Sequence, residues 1–212
     1  MADRLVSNFK QLASEVNLQD RDFQIAIASI IFNPTFWNIA ARTEYNTHLL
    51  TKLAFNKPKF GCYLLALTIF SLGLFRDYLY EKALKNQVSS VLLADPVFRY
   101  LGIASFLFGN VLVLSSMWKL GITGTYLGDY FGILMEDRVT SFPFNIDNNP
   151  MYNGSTLCFL GTGLYYGKPA GIFASLVVYL MYQVALKFEE PFTAKIYAKR
   201  EAEREQKKKK SL

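Results

Sequence analysis

Residues 100–118 read YLGIASFLFGNVLVLSSMW, a run of 19 positions without a charge. At about 1.5 Å per residue such a run, wound as a helix, reaches nearly across the ~30 Å hydrocarbon core of a bilayer. A helix on the surface of a soluble protein would show a charged face at a period of about 3.6 residues. None is present here. Asn110 is the amide in the middle of the run. Its polarity predicts that it faces other helices rather than lipid.

Working outward, four further stretches carry no charge: Phe23–Ala41, Phe60–Phe75, Met151–Gly167 and Pro169–Leu186. Five such runs in 212 residues would leave a soluble protein no surface to face water. The chain therefore reads as an all-α integral membrane protein, a bundle of four to five membrane helices. The first 22 residues are too charged for a secretory signal. Phe9, Leu12, Ala13 and Val16 fall at helical spacing, which predicts an N-terminal amphipathic helix lying on the membrane surface.

Apolar residues make up 51% and charged residues 19%, which excludes intrinsic disorder. The net charge of +6 is not spread over the chain. Residues 195–212 hold eight basic and three acidic side chains, so this tail alone carries +5. A nucleic-acid binder would distribute its basic residues over a folded groove, and no nucleic-acid partner is expected. Two regions follow: a membrane-embedded body, 1–194, and a basic tail, 195–212. Lysines favour the cytosolic side, which places the tail in the cytosol. Counts of positive charge on the two sides fit four crossings and five crossings equally. The chain ends Lys209-Lys210-Ser211-Leu212, matching the dilysine pattern that retrieves membrane proteins to the endoplasmic reticulum. That membrane is the expected location, with a mitochondrial membrane as the alternative.

Cys62 and Cys158 both lie in apolar runs and read as free core residues. His48 is the single histidine, so neither a His/Cys metal centre nor a Ser-His-Asp triad is expected. Polar chemistry concentrates at two places. Residues 121–150 read GITGTYLGDYFGILMEDRVTSFPFNIDNNP. Gly124, Gly128 and Gly132 recur every fourth residue and predict one smooth helix ridge for close packing. Asp129, Glu136, Asp137 and Arg138 share that stretch, and ionisable groups beside spans are costly unless paired or used. The second place is Glu189-Glu190-Pro191, directly after the last run. The pair is either a solvated helix end or an anchor for a cationic ligand.

Together these segments resemble the small phospholipid N-methyltransferases. The likeness begins at Phe32-Asn33-Pro34-Thr35-Phe36-Trp37-Asn38 and continues through Arg42 and Glu44. It is densest in 111–116 (VLVLSS), in GTYLGDYFGIL, in Phe142-Pro143-Phe144-Asn145, in Asn149-Pro150-Met151-Tyr152 and in Glu189-Glu190-Pro191-Phe192-Thr193-Ala194. The Asn-Pro-x-Tyr and Glu-Glu pieces are also similar to a wider membrane methyltransferase group that includes isoprenylcysteine carboxyl methyltransferase.

The resemblance implies a methyltransferase domain over 1–194 and S-adenosylmethionine as methyl donor. It implies an acceptor that is a membrane phospholipid, the monomethylated ethanolamine lipid, carried to its dimethyl form and to phosphatidylcholine. It assigns donor binding to Glu189 and Glu190, to Asn149 and Tyr152, and to a Gly-x-Gly that falls on Leu107-Phe108-Gly109. There this sequence departs, with leucine at the first glycine position. The amine must lose a proton to react, and a simple alkylamine titrates near ~10.4. Glu44, Asp129 and Glu136 are the candidate proton acceptors, with His48 a weaker one. Arg42 or Arg138 could hold the lipid phosphate. Tyr126 and Tyr130, with Phe131 beside them, could meet the cationic headgroup through cation–π contact. Oligomeric state is left open. Two other readings remain: a non-enzymatic multi-span protein, such as a transporter subunit or membrane-shaping protein, and a methyltransferase acting on a prenylated cysteine carboxylate.

Overall fold

A computed structural model describes residues 2–136 and 139–210, and among these every regular element is helical. Seven α-helices follow one another: α1 (Ala2–Ser14), α2 (Arg21–Thr47), α3 (Leu49–Leu53), α4 (Pro58–Asn86), α5 (Pro96–Thr125), α6 (Pro150–Tyr165) and α7 (Pro169–Lys210). Four are long and apolar enough to cross a bilayer: α2, α4, α5 and α7. The 16 residues of α6 rise only about 24 Å and fall short of that criterion.

The helix boundaries follow local chemistry. Asp20 caps α2, its carboxylate accepting from the Phe23 N–H at 2.8 Å. Asp95 caps α5 in the same way through Val97 N–H, with Pro96 in the first helical position. The first ends of the bundle are tied together by Asp22, which accepts from Lys82 at 2.8 Å and from Asn86 at 2.9 Å.

α5 packs most closely on α6, and small residues make that approach. A Cβ on Gly109 would stand 2.5 Å from the Gly154 carbonyl oxygen, and one on Gly161 would stand 2.6 Å from that of Gly102. Without a hydrophobic force between helices in lipid, such backbone contact is what holds neighbouring spans together. α6 turns back onto α7, so α7 is the central helix. Half of its apolar window is buried, against 17% for α5. Much of the remaining apolar surface is bare: Phe70, Phe106, Leu114 and Trp118 are all exposed. That inversion is what lipid solvation requires. On α1, Leu5, Val6 and Phe9 are exposed too, in keeping with a surface-lying helix.

One expectation changes. The glycine ridge does not form. Gly124 lies in α5, Gly128 in a 3-10 turn and Gly132 just past it, at φ +76. α5 has already been interrupted at Gly121, whose φ of +62 and ψ of −176 leave the helix geometry. α7 itself continues past residue 194 to Lys210, and its turns there pack on the chain. Tyr197 accepts from the Met135 N–H at 3.2 Å, and Arg200 donates to the Met135 carbonyl at 2.6 Å.

Candidate active site

The site is assembled from the end of α5, the 3-10 turn after it, the start of α6 and the middles of α2 and α7. After α5 the backbone turns through left-handed geometry at Leu127 (φ +61) and again at Gly132 (φ +76). Between them Gly128–Phe131 forms the 3-10 turn, closed by Ile133 N–H on the Gly128 carbonyl at 2.9 Å. Gly128 sits so close to Thr123 that a Cβ there would lie 2.7 Å from its carbonyl oxygen. Tyr130 and Phe131 are driven into the core with Ala41, Cys62 and Leu65. Asp129, between the turn's ends, is thereby left facing a cleft.

That cleft measures about 460 Å³, within the usual range for small-ligand sites. Trp37 of α2, Tyr126, Asp129, Tyr152 of α6, and Tyr182 and Glu189 of α7 line it. Glu189 is its organising group. Its Oε1 accepts from Trp37 Nε1 at 2.8 Å and from Asn38 Nδ2 at 2.7 Å. Its Oε2 accepts from the Tyr152 hydroxyl at 2.5 Å. Asp129 accepts from the Thr193 hydroxyl at 2.7 Å and from the Tyr130 N–H at 3.1 Å. Among the described residues, neither carboxylate has a Lys, Arg or His at ion-pair distance. The two acids are thus held by neutral donors among aromatic faces, and the Arg76 guanidinium on the cleft wall is engaged elsewhere, by the Tyr182 hydroxyl and Asp77. Such a place attracts a cation through charge and through the ring quadrupoles together.

Packing around Glu189 fixes its position along α7. Tyr130 stacks on Phe192 at 4.8 Å, Tyr45 meets Phe192 edge-on at 4.9 Å, and the Arg42 guanidinium lies 4.9 Å over the same ring. Trp37 touches both Tyr152 and Tyr182 from the α2 side.

The expected site residues divide on this geometry. Glu189, Asn149, Tyr152, Asp129 and Tyr126 meet at the cleft. Glu190 is exposed beside it and accepts from Asn149 Nδ2 at 3.0 Å. Gly109 is spent on the crossing with Gly154. Phe108 is half exposed, and Leu107 lines a different cavity. Glu44 is fully buried away from the cleft. Its carboxylate accepts from the N–H groups of Leu50 (2.7 Å) and Thr51 (3.1 Å) and from the Thr51 hydroxyl, so it holds the turn from α2 into α3. His48 occupies that turn at φ +54, exposed. Glu136 is exposed, with Arg200 Nη2 3.4 Å from its carbonyl. Arg42 donates to the Phe188 carbonyl at 2.9 Å, and Tyr130 is 1% exposed, under the cleft rather than in it. Arg138 lies outside the described residues. Sequence reasoning passed over Asn38, Arg76, Tyr182 and Thr193 as site residues. Asn38 and Trp37 belong to the 32–38 segment that carried the resemblance, and Arg76 is the charge that ends an apolar run.

Comparison with known proteins bears directly on this arrangement. The family described as phospholipid methyltransferase matches residues 97–200, which hold the Gly128–Phe131 turn, α6 and the α7 wall of the cleft. The phosphatidyl-N-methylethanolamine N-methyltransferase of Saccharomyces cerevisiae is 59% identical over 201 residues, covering 95% of this chain and 97% of that protein. The Schizosaccharomyces pombe enzyme of the same name is 55% identical over 188 residues, covering 89% of this chain and 96% of its own. Human phosphatidylethanolamine N-methyltransferase is 46% identical over 187 residues, covering 88% and 94%. No solved structure matches. The Saccharomyces match covers all but a few residues of the chain and so takes in α2 and the Trp37 side of the cleft, and the chain belongs to the phospholipid methyltransferase family.

Proposed function

We propose that this chain transfers methyl groups from S-adenosylmethionine to the amine of an ethanolamine-class phospholipid, taking the monomethyl form to the dimethyl form and to phosphatidylcholine. The observation that carries the reading is Glu189, held by three neutral donors and facing an aromatic cleft at one end of a membrane bundle.

The residues present fit the donor. A sulfonium and an ammonium both suit a cleft whose acids have no cationic partner among the described residues. The Thr125 hydroxyl lines the same cleft, buried and without a hydrogen-bond partner. Unsatisfied buried hydroxyls are uncommon, and this one is available to a polar ligand atom. Glu189, Asn149 and Tyr152 form the expected holding group on one side, and Tyr126 and Thr125 on the other. Bound there, the donor would supply an electrophilic methyl group, the nitrogen lone pair forming the new N–C bond as the C–S bond breaks.

The chain's own work is alignment and proton removal. An alkylamine is protonated near neutral pH, since its pKa is about 10.4. Of the two carboxylates facing the cleft, Glu189 is taken up by three side-chain donors, whereas Asp129 has one, Thr193, and we assign Asp129 the proton. Walls from α2, α4, α5, α6 and α7 limit water around the reacting amine. Glu189 lies midway along α7, just past the apolar run 169–186 and six residues before the basic tail begins. A cytosolic tail thus brings the cleft to the cytosolic side, where a soluble donor arrives, and the endoplasmic reticulum membrane is the location this reading favours.

The test uses the full chain in detergent or nanodiscs with methyl-labelled S-adenosylmethionine. Supplied with the monomethylated lipid and a prenylated cysteine together, it should label the dimethyl and trimethyl lipids and leave the cysteine unlabelled. Absence of label in lipid, or label on the cysteine carboxylate, would overturn the assignment.

A further inference from the structure

Beneath the cleft lies a second cavity of about 620 Å³ between α4, α5 and α6. Ile103, Phe106 and Leu107 form its α5 wall, and they are exposed at 39%, 45% and 59%, so this cavity is open on the lipid-facing surface. Two residues, Arg76 and Val113, line both it and the cleft. The cavities are therefore neighbours across a single side chain's thickness.

Arg76 marks the seam. Its side chain is 11% exposed and lies within α4, ten residues from that helix's end. Its Nη1 donates to the Tyr182 hydroxyl at 2.8 Å, and that hydroxyl is 3.1 Å from Ser155 Oγ. Nε and Nη2 reach Asp77 Oδ1 at 3.0 and 2.8 Å, and the guanidinium lies 5.0 Å over the Phe159 ring. A guanidinium at this depth in an apolar bundle is expensive unless it has a use. Asp77 answers the charge through Nε and Nη2 and is itself mostly exposed, while Nη1, on the cleft side, meets only the neutral Tyr182 hydroxyl among the described residues. The Arg76–Asp77 pair places one positive and one negative charge in a groove with apolar walls. An ethanolamine phospholipid offers a phosphate for the guanidinium and apolar chains for the walls, with its amine left to reach the carboxylates of the cleft.

Position along α7 agrees. Tyr182 precedes Glu189 by seven residues, about 10 Å of helix rise. That is the order of reach of an extended headgroup measured from its glycerol. A third, smaller cavity of about 260 Å³, between α2 and α7 beside Arg42, shares no lining residue with the cleft. A lipid held there would not be led to Asp129.

We propose that the α4–α5–α6 groove seats an acyl chain of the acceptor phospholipid, with Arg76 and Tyr182 bonding the phosphate and glycerol at its head end so that the amine enters the cleft. The proposal rests on the methyltransferase reading above and adds where the acceptor lies.

The test is photocrosslinking of the full chain, in nanodiscs without methyl donor, by monomethylated phosphatidylethanolamine bearing a diazirine in its acyl chain. Adducts should concentrate on residues 102–113 and 155–162. Adducts on 34–42 and 181–188, or spread evenly over the lipid-facing helices, would overturn the proposal. Leu107→Trp fills the groove at an exposed position, and should cut crosslinking and raise the lipid KM by about fivefold each while leaving donor Kd within about twofold. Arg76→Gln should raise the lipid KM by about tenfold, with Arg76→Lys recovering part of it. A change in donor Kd with an unchanged lipid KM in both Leu107→Trp and Arg76→Gln would sink the assignment. Wild-type protein that gives the expected adducts and yet transfers no methyl group would sink the methyltransferase reading and leave the groove standing. Wild-type protein that methylates but crosslinks elsewhere would do the reverse.

Discussion

Tyr152 and Glu189, 37 residues apart, meet at 2.5 Å across the seam between α6 and α7. Among the described residues the tyrosine is the one donor to Glu189 Oε2, whereas Oε1 has two, Trp37 and Asn38. The asymmetry separates the two sides of the carboxylate. Tyr152→Phe leaves Oε2 bare in a partly buried place. A hydrogen bond to a charged group is worth about 1.5–3 kcal/mol, so the donor should bind about ten- to hundredfold more weakly by equilibrium dialysis. Trp37→Phe removes one of two donors to Oε1 and should cost less. Equal effects from the two variants would contradict this division.

Glu189 and Glu190 are adjacent in sequence and unlike in the fold. Glu189 lines the cleft, while Glu190 is exposed and, among the described residues, meets Asn149 alone. Glu189→Gln keeps the shape but removes the charge that would attract a cation and places an amide before two N–H donors. Donor binding should fall by two orders of magnitude or more, about 3 kcal/mol. Glu190→Gln should remain within about threefold of wild type, because an exposed charge is worth at most about 1 kcal/mol. Isothermal titration on both proteins checks it, and comparable losses would mean that the pair acts as a unit.

For Glu44 the expected phenotype is stability. Its carboxylate satisfies two N–H groups and a hydroxyl at the start of α3 and is fully buried. Glu44→Ala strands those donors, at a cost of about 3 kcal/mol. Thermal unfolding in detergent should shift down by several degrees, with the folded fraction retaining kcat per molecule. A fully stable but inactive Glu44→Ala would return Glu44 to the list of proton acceptors.

The membrane helices were legible because lipid imposes one simple requirement, an uncharged run of sufficient length, and α2, α4, α5 and α7 each meet it. The site was legible only in part. Glu189, Asn149 and Tyr152 were found through resemblance, and Asp129 through its charge near a span. Asn38 could not be found by spacing, since it meets Glu189 across 151 residues and no local periodicity links α2 to α7. The Gly124, Gly128 and Gly132 pattern misled for a physical reason. A four-residue repeat on one helix assumes helical φ throughout, whereas Gly121 and Gly132 adopt φ values of +62 and +76. The left-handed turns at Leu127 and Gly132, absent from any hydropathy pattern, are what aim Asp129 into the cleft. Arg76 was passed over because a charge at the end of an apolar run normally marks the membrane edge. Here α4 continues for ten more residues and carries that charge into the bundle.

Asp129 can be tested through the pH dependence of the reaction. Asp129→Asn preserves the size of the side chain and its contact with Thr193, and removes the proton acceptor. With monomethylated lipid near pH 7, kcat should fall by about two to three orders of magnitude, the usual contribution of a positioned base. Donor Kd should change by less than about threefold, since Glu189 retains all of its partners. The sign of the pH response then discriminates. The acceptor amine loses its own proton as pH approaches about 10. The variant, lacking a base, should therefore gain activity steadily over the alkaline range, while wild type, already supplied with an acceptor, should rise less steeply. Parallel pH–rate profiles for the two proteins, or a loss in Asp129→Asn that appears wholly in donor Kd, would remove Asp129 from proton transfer and leave it a part of the donor's binding site.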